Sequence, residues 1–108
     1  MARGRKAVGC PAELTLETIR GRWKLMILQQ LVHGVNRFGA LRRALKGISE
    51  KILTQHLREL ERDGIIKRNV YAEVPLKVEY SLTDAGKALT PIIDAMHDWG
   101  VRFDGAKN

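Results

Sequence analysis

The chain has 108 residues, enough for one domain and short of two. Its hydrophobic share of 44% and charged share of 29% fit a globular protein with a solvated surface, and no apolar run approaches a membrane span. The formal net charge is +7, and a single cysteine excludes an internal disulfide or an all-cysteine metal site.

The first nine residues read as a flexible basic tail carrying Arg3, Arg5 and Lys6 without an acid. No apolar stretch follows them, so they do not read as a secretory signal, and a cytoplasmic location is expected. The rest of the excess charge is concentrated. Residues 37–58 carry Arg37, Arg42, Arg43, Lys46, Lys51 and Arg58 against Glu50 alone. Such clustering is expected where phosphates must be met, although basicity by itself also suits ribosomal and membrane-surface proteins.

Cys10-Pro11 opens the expected domain, residues 10–103, because proline is favoured at the first position of a helix. Ala12 to Ile19 reads as a short first helix. A second runs from about Arg22 to Val32, with Trp23, Ile27, Leu28 and Leu31 at core spacing, and His33-Gly34 stops it. Arg37-Phe38 reads as a brief extended piece. A third helix follows from about Gly39 to Leu45, then a three-residue turn with glycine. Ser49 caps a fourth helix that continues to Asp63. Two helices joined by a short glycine turn, over residues 39–63, match a helix-turn-helix.

After Gly64 the apolar period changes from 3.6 to 2. Ile66 to Ala72 and Val78 to Leu82 alternate around Glu73 to Lys77, which reads as a hairpin over residues 66–82. Pro75 lacks an amide donor and belongs at its tip. Thr83-Asp84 then caps a last helix over 84–103, and residues 104–108 are expected to fray. The expected fold is mainly α with a small β-hairpin (α+β), a winged helix-turn-helix in the order ααβααββα.

The fourth helix carries the functional signal. Leu53, Leu57 and Leu60 share one side, while Lys51, Gln55, Arg58 and Arg62 lie opposite, with Thr54 on a flank. Arg and Lys pair with guanine, Gln with adenine, and Thr with bases or phosphate, so this face suits the major groove of double-stranded DNA. The N-terminal half of such a helix makes most base contacts. The candidates are therefore Lys51, Thr54, Gln55 and Arg58, followed by Ser49 and Glu50; Arg62 lies too far along. Arg37, Arg42, Arg43, Arg68 and Lys77 are candidates for backbone contact from the third helix and the wing. The competing reading is an ordinary amphipathic helix with a solvated face.

These blocks in order carry a resemblance. Cys10-Pro11, Gly21-Arg22-Trp23-Lys24 with Ile27-Leu28, and Arg37-Phe38-Gly39-Ala40-Leu41-Arg42-Arg43 come first. Gly47-Ile48-Ser49, Leu53-Thr54, Leu57-Arg58-Glu59-Leu60, Val74-Pro75, Val78 to Thr83 and Gly86 follow. Across about Cys10 to Gly100 the chain resembles the HxlR-type winged helix-turn-helix regulators, related in architecture to the MarR group. It departs from the pattern at the wing, with Leu76 where a second proline is expected and Lys77 where arginine is frequent.

The resemblance implies a homodimer built on the first and last helices, acting on an inverted-repeat operator. Leu89, Ile92, Ile93, Met96 and Trp99 form an apolar stripe compatible with that interface, or with the domain's own core, or with some of both. Several members of the family sense electrophiles or oxidants through an N-terminal cysteine, and Cys10 matches that position. The amides at a helix start favour a thiolate there; a small residue packed at the interface is the plainer reading. His33, His56 and His97 sit in no metal-ligand spacing, and no phosphate loop, nucleophile elbow or dinucleotide fingerprint is present. No cofactor, metal or enzymatic activity is expected. Two further functions remain open: a non-specific architectural DNA-binding protein, and a winged-helix module that binds protein.

Overall fold

The computed structural model describes residues 9–106, so the basic residues Arg3, Arg5 and Lys6 lie outside them. The order is α1 (Pro11–Ile19), α2 (Arg22–Val32), α3 (Phe38–Ala44), α4 (Glu50–Arg62), β1 (Ile66–Tyr71), β2 (Lys77–Leu82), α5 (Asp84–Ala88) and α6 (Thr90–Ala106).

Local chemistry explains the helix starts. Cys10 is the extended residue before α1, Pro11 follows it, and the Glu13 carboxylate accepts from the amides of Gly9 (3.0 Å) and Cys10 (3.3 Å). Ser49 caps α4, its Oγ accepting from the Ile52 amide at 3.1 Å. The turn between α3 and α4 passes through Gly47 at φ +93°, a left-handed conformation that side chains other than glycine resist.

Two expectations need correction. Arg37-Phe38 is not a strand, so the order is αααα ββ αα rather than ααβααββα. The Leu41 amide takes the Arg37 carbonyl at 2.8 Å as the first turn of α3, leaving the segment too short for a ladder. A single bond links the segment before α3 to the hairpin, from the Tyr80 amide to the Asn36 carbonyl at 2.9 Å. The last helix is also broken, with Leu89 between α5 and α6. Pro91 has no amide to give to Lys87, and its ring crowds the preceding turn. Beyond the break α6 continues to Ala106, past the fraying expected from Asp104.

The core lies where α2 crosses the helix-turn-helix. Ile27 and Leu28 of α2 meet Leu41, Leu53, Leu57 and Leu60, and Ile66 of β1 joins them. At about 25 cal/mol per Å² of apolar surface, burying each such side chain contributes roughly 1.5–3 kcal/mol. The hairpin is antiparallel, pairing Ile66 with Leu82 and Tyr71 with Lys77. Only its base touches the core: Val70 and Tyr71 are exposed, and Val74 at the tip is fully so. The alternation in β1 therefore buries a face only at Ile66.

α5 is fastened to the turn after α4. The Thr83 hydroxyl accepts from the Gly86 amide at 3.1 Å, capping the helix, and lies 2.6 Å and 3.0 Å from the carbonyl oxygens of Gly64 and Ile65.

Candidate DNA-binding surface

The burial of α4 follows its sequence pattern. Leu53, Leu57 and Leu60 are buried, Lys51, Gln55 and Arg58 are exposed, and Thr54 is half-buried. Lys51, Thr54, Gln55, Arg58 and Arg62 border one open concavity on the outer side of the helix, together with Glu50 and Glu59. Around the flank, Thr54 and Arg58 share a second groove with Arg68 of β1. The helix and the wing thus each turn one arginine toward a common space that Glu50 and Glu61 also border, an arrangement in which one duplex could lie against both elements.

The other expected contact residues surround this pair less closely. Arg42 and Arg43 are exposed on α3, with Arg42 Nη1 3.9 Å from Glu50 Oε1. Arg37 is exposed and sits 3.7 Å from Glu79 on β2. Lys77 is engaged at the wing tip, its Nζ 4.7 Å from the centre of the Tyr71 ring and 3.7 Å from Glu73. The Ser49 oxygen is committed to its cap, which leaves its hydroxyl hydrogen as a donor.

An ion pair behind α4 was missed in the sequence. Lys24 of α2 is buried, 8% exposed, and its Nζ lies 2.7 Å from Oε1 of Glu59. The Lys24 hydrogen bond is the largest influence on Glu59, pulling its pKa down from 4.5 to about 2 although burial pushes the other way. Gln55 donates to Glu59 Oε2 at 3.2 Å, and the ring Nδ1 of His56 stands 3.6 Å from Oε1. That Nδ1 is buried without a hydrogen bond. The available signal was Lys24 itself, since a cation three residues before Ile27 and four before Leu28 falls on a buried face and requires a partner.

The apolar stripe near the C-terminus divides. Leu89 and Ile93 are buried in this chain's own core. Ile92, Met96 and Trp99 face outward, Trp99 being 59% exposed and stacked on Phe103 with ring centres 4.8 Å apart. Leu16 of α1 is likewise exposed. Cys10 is exposed at the start of α1, where Glu13 already meets the nearest amides. Among the described residues no three metal-ligating side chains come together, and no helix is long and apolar enough to cross a membrane.

Residues 18–108 match the model of the HxlR-like helix-turn-helix family. The chain belongs to that family. This HxlR-like protein is 50% identical over 95 residues to the uncharacterized HTH-type transcriptional regulator YdeP of Bacillus subtilis, a match covering 88% of this chain and 74% of the relative. Its fold is similar to that of the redox regulator HypR in its reduced form, with a TM-score of 0.82 and 46% identity over 86% of this chain and 92% of HypR. It is also similar to the reduced transcriptional regulator YodB of B. subtilis, with a TM-score of 0.79 and 35% identity over 89% of this chain and 95% of YodB. The HxlR-like chain is a helix-turn-helix transcriptional regulator and not an enzyme.

Proposed function

We propose that this HxlR-like regulator acts in the cytoplasm and binds a specific inverted repeat in double-stranded DNA as a homodimer. The observation that carries the reading is the division of α4, with leucines locked into the core, Lys51, Gln55 and Arg58 exposed, and Arg58 sharing a groove with Arg68 of the wing. In this reading Lys51, Thr54, Gln55 and Arg58 meet base edges, with Ser49 at the helix start. Arg37, Arg42, Arg43, Arg68 and Lys77 hold the phosphate backbone. The exposed Ile92, Met96 and Trp99 pack against a second copy, joined by Leu16. Leu89 and Ile93 support that face from within. A two-fold dimer sets its two reading helices about 34–36 Å apart, one turn of duplex.

The test is selection from a random duplex library, followed by competition between the enriched sequence and random DNA at fixed salt. A large specificity ratio and a steep fall in affinity with rising salt are expected. Equal affinity for all duplexes would identify an architectural protein. Absence of salt-dependent binding would identify a protein-binding module.

A responsive role for Cys10 belongs to the same proposal. The thiol is exposed at the start of α1, next to the proposed dimer helices, and two similar structures are those of HypR, a redox regulator, and YodB. Modification of Cys10 by an electrophile or oxidant is expected to change DNA affinity. A Cys10→Ser protein that keeps the same response to the reagent would show that the thiol is structural.

A further inference from the structure

Gln55 is the side chain on the outer face of α4 best suited to an adenine, and its amide already has a partner within the helix. Its Nε2 donates to Oε2 of Glu59, one helical turn on, at 3.2 Å. The other oxygen of that carboxylate receives Nζ of the buried Lys24 at 2.7 Å. An ionised carboxylate only accepts, so the amide edge turned toward it is the NH2. We propose that Glu59, held by Lys24, is a positioning residue that fixes the polarity of the Gln55 amide and so commits Gln55 to adenine. This rests on the reading of α4 as the helix that meets base edges.

A glutamine free to flip its amide exchanges donors for an acceptor and meets several bases passably. With one hydrogen of Nε2 given to Glu59, one N–H and the carbonyl oxygen remain. Adenine presents one acceptor and one donor in the major groove, N7 and the N6 amino group, and matches that remainder with two bonds. Guanine presents two acceptors and would need both amide hydrogens, one of which is already taken. Cytosine's amino group and thymine's O4 each offer one bond to the same edge. The held amide therefore discriminates where a free one would compromise.

Lys24 gives this arrangement its rigidity. A buried ammonium without a counter-charge is costly, so the Glu59 carboxylate, which borders the same concavity as Gln55, is held toward Lys24. His56 faces the same carboxylate at 3.6 Å, and Gln55 completes the set of groups around it.

The experiment starts from the duplex that the full chain enriches from a random library. Each position is then changed to all four base pairs, and dissociation constants are measured at one salt concentration. Gln55→Ala is expected to lower the preference for A·T at one position about tenfold. Glu59→Gln, whose amide either donates or accepts, is expected to cut the adenine-over-guanine ratio at that same position at least threefold and leave other positions alone. Adding Glu59→Gln to Gln55→Ala should then change that ratio no further. A partly unfolded protein loses affinity for every duplex by one factor, so these ratios do not register a purely structural defect. Should Glu59→Gln fail to fold with Lys24 unpaired, the neutral pair Lys24→Met with Glu59→Gln carries the same expectation.

Base ratios in Glu59→Gln equal to those of the parent, or shifted at a position Gln55 does not control, would overturn the proposal while leaving sequence-specific binding intact. A library that enriches no sequence would overturn the parent reading and this one with it.

Discussion

Gly86 stands so close to the backbone carbonyl of Ile65 that no other residue fits in its place: a β-carbon there would run into that oxygen. The contact joins the start of α5 to the turn between α4 and β1. The same carbonyl accepts from the Thr83 amide at 3.0 Å, so one oxygen organises the meeting of three elements. Gly86→Ala is therefore expected to cost about 3 kcal/mol of stability, at the upper end for an overpacked site, because backbone rather than a flexible side chain must yield. Thr83→Val, which loses the cap and the hydroxyl donor, should cost about 1–2 kcal/mol. Denaturant midpoints of the two proteins against the parent check both.

Two substitutions one position apart on α4 should have opposite consequences. Leu57→Ala removes a buried side chain and is expected to cost about 2–5 kcal/mol of stability. Arg58→Ala should leave the melting temperature within about a degree and cost about 1–3 kcal/mol of binding to the selected duplex. An equal loss on random DNA would assign Arg58 to phosphate. Melting curves paired with binding isotherms separate these outcomes.

Acid should expose the Lys24–Glu59 pair. The folded pKa of Glu59, about 2, lies below its ordinary 4.5, so the folded state favours the carboxylate. Its contribution is complete above about pH 4.5 and is lost as pH falls toward 2, where the folded protein takes up the proton as well. Glu59→Gln should consequently be less stable at neutral pH and show a shallower decline between pH 5 and 3. Chemical denaturation at successive pH values measures the two slopes, and parallel curves would remove the pair from the account of acid stability.

The split in the C-terminal stripe predicts a split in phenotype. Met96→Glu and Trp99→Ala should shift the chain from dimer toward monomer in sedimentation while the monomer stays folded. Ile93→Ala acts on this chain's own core and should lower the melting temperature, at a cost of about 2–5 kcal/mol. A fully monomeric parent would dismiss the dimer.

Much of this arrangement is legible in the sequence because it rests on local chemistry. Ser49 and Gly47 bound the helix-turn-helix to within a residue or two, and the change of period after Gly64 marks the hairpin. The apolar stripe of the last helix obscured its interruption, since Leu89 and Ile93 keep helical spacing across a break that Pro91 enforces. The same periodicity does not distinguish Ile93, facing inward, from Ile92, facing out. That distinction depends on where α2 lies. The partnership of Lys24 with Glu59 was hidden for a related reason: it joins two helices across the core, and no spacing along the chain encodes it.

The sidedness of α4 also bears on how such a protein changes its address over time. Lys51 and Arg58 hold up no part of the interior, and Gln55 reaches only the Oε2 oxygen of Glu59, so if they read bases as proposed, mutation could rewrite the favoured sequence while the scaffold stays intact. On the proposed reading, a duplicated copy of this chain would have a short route to a new set of target sites, through a few outward substitutions and without a detour through an unfolded ancestor.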